Sequence, residues 1–303
     1  MIYILFFLLL TYFILTHSSL SLYYAFHGLT LWYNKMIPSL LPFMILSGML
    51  IRMHLSEKFV ILIHPVLKRI FRCSPNVSYG IVMGFLCGFP MGAKVTADLL
   101  KEEKITACEA RFLLSFCNNI GPVYFCTFVI PTLEIQNIRL ALFGMYGLPL
   151  LYGIFLRYTF FRKELNAIYS EQPDHRVLQK ASLLTALDDS IRSSIASISM
   201  LCGYMIIFNL LNILPHIFLP QMHQYIAPLL EITGGITISD NILPVYILIL
   251  LPFGGLSCIA QTNSILQGTG LSIKNYIRHK LVLTGITFGF YSMIFWTSQF
   301  RFM

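Results

Sequence analysis

The stretch Gly84-Phe-Leu-Cys-Gly-Phe-Pro-Met-Gly-Ala-Lys94 decides how this sequence is interpreted. It lies in an apolar segment, Tyr79 to Leu100, whose glycines at 80, 84, 88 and 92 are spaced for close helix packing. Pro90 removes a backbone donor, which membrane depth tolerates only where the freed carbonyls face protein or a wet cavity. Lys94 is costly there, about 3 kcal/mol, and is a functional candidate. Asp98, one helical turn later, is the alternative partner that would simply neutralise it.

The composition places the chain in a membrane. Of its 303 residues, 56% are hydrophobic and only 11% are charged, which is more apolar surface than one soluble core can bury. A span needs roughly 20 apolar residues, so we expect six to eight membrane-embedded segments. The net charge of +8 comes from short Lys and Arg clusters between these segments, which indicates membrane sidedness. We therefore expect a lipid bilayer and no nucleic acid as a partner.

The apolar segments are interrupted in an ordered way. The first half contains predicted spans at Ile2 to Thr16, Ile37 to Met53, Tyr79 to Leu100, Cys108 to Ile130 and Leu140 to Arg157. The second half contains predicted spans at Ile191 to Leu214, Leu243 to Leu266 and Tyr276 to Trp296. Ser19 to Lys35, Glu57 to Phe71 and His223 to Ser239 are amphipathic, typical of segments lying at the membrane surface.

A polar stretch divides the chain into two halves. We predict an N-terminal membrane repeat at 1–157, a cytoplasmic connection at 158–186 and a C-terminal membrane repeat at 187–303. Aligning Gly88-Phe89-Pro90 with Gly255-Leu256-Ser257 sets the two halves in register. The predicted fold is an all-α polytopic membrane protein with two inverted repeats, re-entrant helical hairpins and broken helices. That topology places the basic cluster at 274–280 outside or on a hairpin rim, against the positive-inside rule.

Three further motifs place polar groups inside apolar segments. Ser115-Phe-Cys-Asn-Asn-Ile-Gly-Pro122 ends one half-helix and starts another, and leaves two amides beside unpaired backbone groups. Glu231-Ile-Thr-Gly-Gly235 and Pro252-Phe-Gly-Gly-Leu-Ser-Cys-Ile-Ala-Gln-Thr-Asn263 are the others. Simple small-residue helix packing is the alternative explanation for the last of these motifs. The candidate substrate-binding residues are Gly88, Pro90, Gly92, Lys94, Asn118, Asn119, Gly121, Glu231, Thr233, Gly254, Gly255, Ser257, Gln261 and Asn263.

Signatures of enzymes and metal sites are missing from the sequence. It has no H-E-x-x-H, no G-x-S-x-G and no P-loop, and its seven cysteines form no C-x-x-C pair. His216 and His223 are seven residues apart, but Pro215 and Pro220 argue against one shared helix face, so we do not expect a metal pair there. We expect no enzymatic activity, no metal and no cofactor, with any coupling ion left open.

At its four motifs the chain resembles the YlbJ-type sporulation integral membrane proteins (stage V sporulation protein V-like), grouped with the nucleoside-recognition or Gate family. The resemblance implies a fold similar to that of concentrative nucleoside transporters, whose hairpins and broken helices enclose a midplane site. It also implies transport of dipicolinic acid across the outer forespore membrane. Gly234-Gly235 departs from the Asn-Gly expected there, and Cys258-Ile259 stands where a His before Ala260 is expected.

The leading hypothesis is therefore a transporter of a small anionic solute, located in the cell membrane or outer forespore membrane of a spore-forming bacterium. Lys94 and the N-terminal ends of half-helices suit a small dicarboxylate. An ion-coupled transporter of nucleoside type is one alternative. A non-transporting membrane assembly or signalling protein is another, in which the glycine stripes are only packing faces. A homo-oligomer is compatible with each of these hypotheses.

Overall fold

A computed structural model describes residues 1–170, 182–238 and 243–296, and within these ranges every regular element is a helix. The helices of the first half are α1 Ile2–Thr16, α2 Ser18–Leu31, α3 Ile37–Arg52, α4 Ser56–Phe59, α5 His64–Phe71, α6 Pro75–Cys87, α7 Met91–Lys101, α8 Ala107–Phe116, α9 Pro122–Tyr124, α10 Ile130–Thr132, α11 Ile138–Leu142 and α12 Leu148–Tyr158. The remaining helices are α13 Arg162–Ser170, α14 Leu183–Leu210, α15 Ile213–Phe218, α16 Pro220–Leu230, α17 Ile232–Ile238, α18 Pro244–Leu250, α19 Gly255–Leu266 and α20 Ile273–Trp296.

Three prolines, Pro38, Pro131 and Pro149, are accommodated by π-helical turns. Such turns occupy Trp32–Met36, Phe125–Val129 and Phe143–Gly147, and each ends two residues before a proline. A proline ring clashes with the carbonyl four residues earlier, so widening the preceding turn lets the helix continue. In this way α2 and α3 form one continuous helix across Pro38.

Four helices among the described residues are long and apolar enough to span a membrane. They are Ser18–Arg52, Ile138–Tyr158, Leu183–Phe218 and Pro244–Leu266. Shorter apolar helices lie at Ile4–Thr16, Pro75–Cys87 and Pro122–Thr132. The predicted helical membrane architecture is confirmed at this level.

Two predicted boundaries are wrong. Ser19 to Lys35 does not form a separate surface segment, because the π turn before Pro38 joins it to α3. The helix that contains the predicted span Ile191 to Leu214 also begins earlier than that span. Helix α14 begins at Leu183, where the Ser182 hydroxyl caps the backbone amide of Thr185 at 3.2 Å.

The turn between α6 and α7 brings these two helices against each other, and the α16–α17 connection at Glu231 does the same. The predicted hairpin at Gly254 to Gln261 is wrong, because Gly255–Leu266 form a single helix, α19. Residues 251–254 instead interrupt an otherwise continuous apolar helix, so that α18 and α19 follow one another. A glycine break alone does not reverse the chain. At Glu231 the carboxylate caps the next helix, which allows the reversal.

Helix α14 forms one wall of the molecule by packing along α2 and α3, and α19 packs against both α14 and α7. Helix α20 lies on the other side, against α8, α12 and α18. This arrangement leaves the α6–α7 turn, the α8–α9 break, the Glu231 turn and the α18–α19 break in the interior.

Candidate functional site

The α6–α7 turn and the α8–α9 break meet backbone to backbone. Gly88 has a φ of +84°, and a Cβ there would fall on the backbone nitrogen of Gly121. A Cβ on Gly92 would strike the carbonyl oxygen of Cys117 and would lie 2.8 Å from the Cα of Asn118. Only glycine permits this approach, and the predicted motifs Gly88 to Lys94 and Asn118 to Pro122 are therefore parts of one structure.

The amides of the break are fully buried and hydrogen-bonded. Asn118 Oδ1 accepts from the backbone N–H of Ala93 at 3.2 Å, which ties the break to the first turn of α7. Its Nδ2 donates to Tyr276 Oη at 2.9 Å and to Thr262 Oγ1 at 3.3 Å. Asn119 Nδ2 donates to the Phe116 carbonyl at 2.6 Å, satisfying a free acceptor at the end of α8. These two side chains fix the break in place and link it to α19 and α20.

Lys94 is paired inside the protein. Its Nζ lies 3.1 Å from Asp98 Oδ2 and donates to Ser193 Oγ of α14 at 2.9 Å. The lysine side chain is only 7% exposed and the aspartate side chain 16% exposed. Low exposure strengthens this i, i+4 pair relative to one on a surface. Lys94 also lines a polar cavity.

Glu231 is a buried carboxylate between α16 and α17. Its Oε1 accepts from the backbone N–H of Thr233 at 3.1 Å, and its Oε2 accepts from that of Gly234 at 2.5 Å. Asn209 Nδ2 of α14 donates to Oε2 at 3.3 Å, while Asn209 Oδ1 has no hydrogen-bond partner within the described part of the chain. Among the described residues no Lys, Arg or His nitrogen lies within 4.0 Å of this carboxylate. The charge is therefore stabilised by hydrogen-bond donors from Asn209, Thr233 and Gly234.

The α18–α19 break packs on the Glu231 turn and on the α6–α7 turn. A Cβ on Gly255, whose φ is +81°, would lie 3.1 Å from the Pro228 carbonyl oxygen. A Cβ on Gly254, whose φ is +77°, would lie 3.0 Å from the ring of Phe89. The contact between the α6–α7 turn and the α8–α9 break thus lies beside the contact between the Glu231 turn and the α18–α19 break. Phe89 connects the two.

A cavity of about 240 Å³ opens between these elements. Most of its lining is apolar, including Phe89, and its polar groups come from Ser39, Tyr124, Glu231, Thr233 and Gln261. An apolar cavity with a few convergent polar groups is the usual form of a small-molecule site. We refer to it as the Glu231 cavity.

A second cavity of about 250 Å³ lies on the other side of Gln261. Its polar lining is richer. The charged and hydrogen-bonding residues that line it are Lys94, Asp98, Lys101, Ser193, Ser197, Tyr204, Gln261, Ser264 and Gln267. Gln261 and Leu201 line both cavities, so they form the partition between this Lys94 cavity and the Glu231 cavity.

The structure brings most of the predicted site residues to this interior region. Ser257 is buried and accepts a hydrogen bond from Gln261 Nε2 at 2.8 Å, which orients the partition residue. Pro90 lines the Lys94 cavity, and Gly121 lines the Glu231 cavity. Asn263 is different, because it is exposed on α19 and lines neither of these cavities. Its neighbour Thr262 is buried and contacts Asn118 instead.

Sequence reasoning missed Lys280. The sequence places it with Lys274 and Arg278 in one basic cluster, and those two residues are indeed exposed. Lys280 is 0% exposed, and its Nζ donates to the Asn118 carbonyl and to Asn119 Oδ1. The available signal was helical spacing. The residues at the expected intervals on α20 are all buried: Tyr276, Lys280, Leu283, Thr287, Tyr291 and Ile294.

No metal-binding group of three or more His, Cys, Asp or Glu side chains occurs in the part of the chain that the structure describes. His216 and His223 do come together, at either side of the Tyr24 hydroxyl. His216 Nδ1 lies 3.0 Å from that oxygen and His223 Nε2 lies 3.3 Å from it. The group joins α2 to α15 and α16, and we interpret it as a packing contact.

Comparison with known proteins agrees with this picture. A sequence model of the Gate family, described as nucleoside recognition, matches residues 34–130, which include the α6–α7 turn and the α8–α9 break. The sporulation integral membrane protein YlbJ of Bacillus subtilis (strain 168) is 27% identical over 339 residues, covering 96% of this chain and 81% of the relative. The chain is thus similar to this sporulation membrane protein over nearly its whole length. The resemblance inferred from the four motifs is confirmed, and that relative is an integral membrane protein of a sporulating bacterium. No solved structure matches the chain.

Proposed function

We propose that this chain transports a small anionic solute across a membrane, and that the solute is dipicolinic acid crossing the outer forespore membrane during sporulation. The similarity to a sporulation membrane protein supports the cellular setting. The chemistry of the interior supports the class of solute.

One observation carries the proposal. Two cavities of similar volume meet at Gln261 and Leu201, and each is bordered by a break or turn in the helices. A transporter needs a site that opens to one side at a time, and broken helices with unpaired backbone groups commonly form such sites. Movement of the Gln261 partition would connect the two cavities.

The Lys94 cavity is the part suited to an anion. It contains the Lys94 ammonium, Lys101 and the hydroxyls of Ser193 and Ser197. A carboxylate entering this cavity would replace Asp98 as the partner of Lys94, so binding would exchange one ion pair for another. Because desolvation of the lysine has already occurred, that exchange costs less than burying a free ammonium.

The Glu231 cavity imposes a condition on the same solute. An ionised Glu231 would repel an anion that approaches it, since no basic side chain within 4.0 Å in the described chain offsets its charge. Passage is favourable once the carboxyl is protonated. We therefore propose that the anion moves together with a proton carried by Glu231, which makes H⁺ the coupling ion.

The order of elements supports two related halves. A turn followed by a helix break occurs at Gly88 and at 117–121, and again at Glu231 and at 251–254. We propose that these are the repeated units, in place of the alignment of Gly88 with Gly255. We also propose that the two units are inverted relative to each other in the membrane and that their turns are re-entrant.

Ligand-dependent thermal stability of the purified protein tests the class of solute. A ligand that binds the folded state stabilises it by about 2.7 kcal/mol at a hundredfold excess over its Kd. We expect dipicolinate to raise the melting temperature at acidic to neutral pH, and benzoate, with one carboxylate, to raise it less. Stabilisation by uridine and not by dipicolinate would reject the anion and favour the second candidate.

That second candidate is an ion-coupled transporter of nucleoside type. The match to a family described as nucleoside recognition favours it, as does the Glu231 cavity itself. Its carboxylate, Thr233 and Gln261 are suited to hydrogen-bonding the hydroxyls of a neutral solute without any change in protonation. Thermal stabilisation by both ligands would point to two subsites, one in each cavity.

A further inference from the structure

Lys280 is a second interior cation, and the function proposed above does not use it. It lies in the first half of α20 and is 0% exposed. Among the described residues no Asp or Glu oxygen lies within 4.0 Å of its Nζ. An unpaired ammonium in the interior is costly unless other groups replace its hydration. Its actual neighbours are therefore informative.

The neighbours of Lys280 form a cradle of the kind that holds a monovalent cation. The Nζ donates to the backbone carbonyl of Asn118 and to Asn119 Oδ1, the latter at 3.1 Å. The ring centroids of Phe89 and Tyr276 lie 4.5 Å and 5.5 Å from it, which gives cation–π attraction from two sides. Two oxygens and two aromatic faces thus replace water around one charge.

The position of this cradle explains why a cation is favoured there. Helix α8 ends at Phe116, and the carbonyls of its last turn point toward the break with partial negative charge. In transporters with broken helices, unwound carbonyls and half-helix C-terminal ends are the groups that coordinate a coupling cation. Here the carbonyl of Asn118 is already engaged by a side chain of the protein.

We propose that the break between α8 and α9 is a monovalent-cation site that the Lys280 ammonium fills permanently, in place of a free alkali-metal ion. The lysine also holds Phe89, and so keeps the α6–α7 turn closed on the break without an added ion. Any ion that drives transport must then bind elsewhere. This inference goes beyond the choice of solute and stands whether or not dipicolinate is carried.

Chemical rescue of a truncated lysine tests the proposal. Lys280→Ala removes the ammonium and leaves a space beside Asn118 and Asn119, while Lys274→Ala removes an exposed ammonium from the same helix as a control. The melting temperature of the purified full-length protein is measured in methylammonium chloride and, at equal ionic strength, in tetramethylammonium chloride.

We expect Lys280→Ala to melt at least about 5 °C below the wild type and Lys274→Ala. Methylammonium should restore most of that loss in a saturable way, because it carries the missing N–H donors, whereas tetramethylammonium should not. In Lys280→Met the space is filled, so both salts should act alike. An equal response of Lys280→Ala to the two salts would overturn the proposal, as would a sodium-specific stabilisation of the wild type that Lys280→Ala abolishes.

A measurement on the unaltered protein covers the case in which Lys280→Ala does not fold. Reductive methylation followed by peptide mass spectrometry compares the reactivity of Lys280 with that of exposed Lys274. An ammonium held by carbonyls and two rings should react at least about tenfold more slowly than the exposed one. Equal labelling of the two lysines in the folded protein would refute a permanently occupied cradle.

Discussion

Lys94 Nζ lies 3.1 Å from Asp98 Oδ2, one helical turn further along α7, and the pair borders a cavity of about 250 Å³. This contact is compatible with two roles for Lys94, which differ in what removal of Asp98 would do. If Lys94 pairs with Asp98 only for structure, removing Asp98 would lower the stability of the protein and leave solute binding unchanged. A lysine that alternates between Asp98 and a solute would bind that solute more tightly once its competitor is gone.

Asp98→Asn should therefore lower the KM for an anionic solute about three- to tenfold, since the ammonium is left with a neutral partner. Lys94→Met should reduce uptake at least about tenfold. Lys68→Met, on the exposed side of α5, is the matched control and should leave uptake unchanged. Uptake by vesicles containing each variant is the measurement, and a raised KM in Asp98→Asn would contradict the exchange of partners.

Glu231→Gln should remove the pH dependence of uptake. The amide keeps the shape of the side chain and cannot take up or release a proton, so transport should no longer fall as pH rises. Glu164→Gln, in a surface pair with Arg111, is the control and should keep the wild-type pH profile. A Glu231→Gln profile identical to that of the wild type would eliminate this residue as the proton carrier.

Gly88→Ala should destabilise the protein by roughly 2–4 kcal/mol, because the new Cβ both requires a left-handed conformation and meets the Gly121 backbone. Gly268→Ala separates these two causes, since Gly268 has a φ of +74° and nothing within 4 Å of a Cβ. That control should cost only about 1 kcal/mol. The measurement is the melting temperature in detergent, and equal losses in the two variants would mean that crowding at Gly121 is unimportant.

Arg157→Met should cost roughly 3–5 kcal/mol. The guanidinium is buried, and its Nε donates to the Phe71 carbonyl at 2.6 Å while a terminal nitrogen donates to Asn166 Oδ1 at 2.9 Å. Its loss removes the Nε donor from the Phe71 carbonyl at the C-terminal end of α5. Arg111→Met is the comparison, because that arginine is 46% exposed and its surface ion pair is worth less than about 1 kcal/mol. Denaturation of both variants in one detergent should show this contrast, and similar losses would contradict it.

The helical breaks could be predicted where the sequence carries its own stop and start signals. Asn118 to Pro122 is an example, because proline suits the first turn of a new helix and α9 begins at Pro122. Helix α1 was also predicted with its observed ends, since its apolar run is uninterrupted from Ile2 to Thr16. The pairing of Lys94 with Asp98 followed from helical spacing alone.

Other features depend on contacts between distant segments and could not be predicted from spacing. Glycines with positive φ mark both the α6–α7 turn and the α18–α19 break, yet the first reverses the chain and the second interrupts a helix. The difference at the second reversal lies in Glu231, whose carboxylate caps two amides. Lys280 shows the same limit, because helical spacing places it on the buried face of α20 but does not reveal the Asn118 carbonyl opposite.

The most direct test of the transport proposal is uptake into vesicles. Purified protein is reconstituted into liposomes with an imposed pH gradient, and entry of labelled dipicolinate is followed with Lys94→Met and protein-free vesicles as controls. We expect saturable uptake that depends on the proton gradient and falls to the protein-free level with Lys94→Met. Uptake no greater than that of empty vesicles, with dipicolinate and with other small anions, would contradict the account.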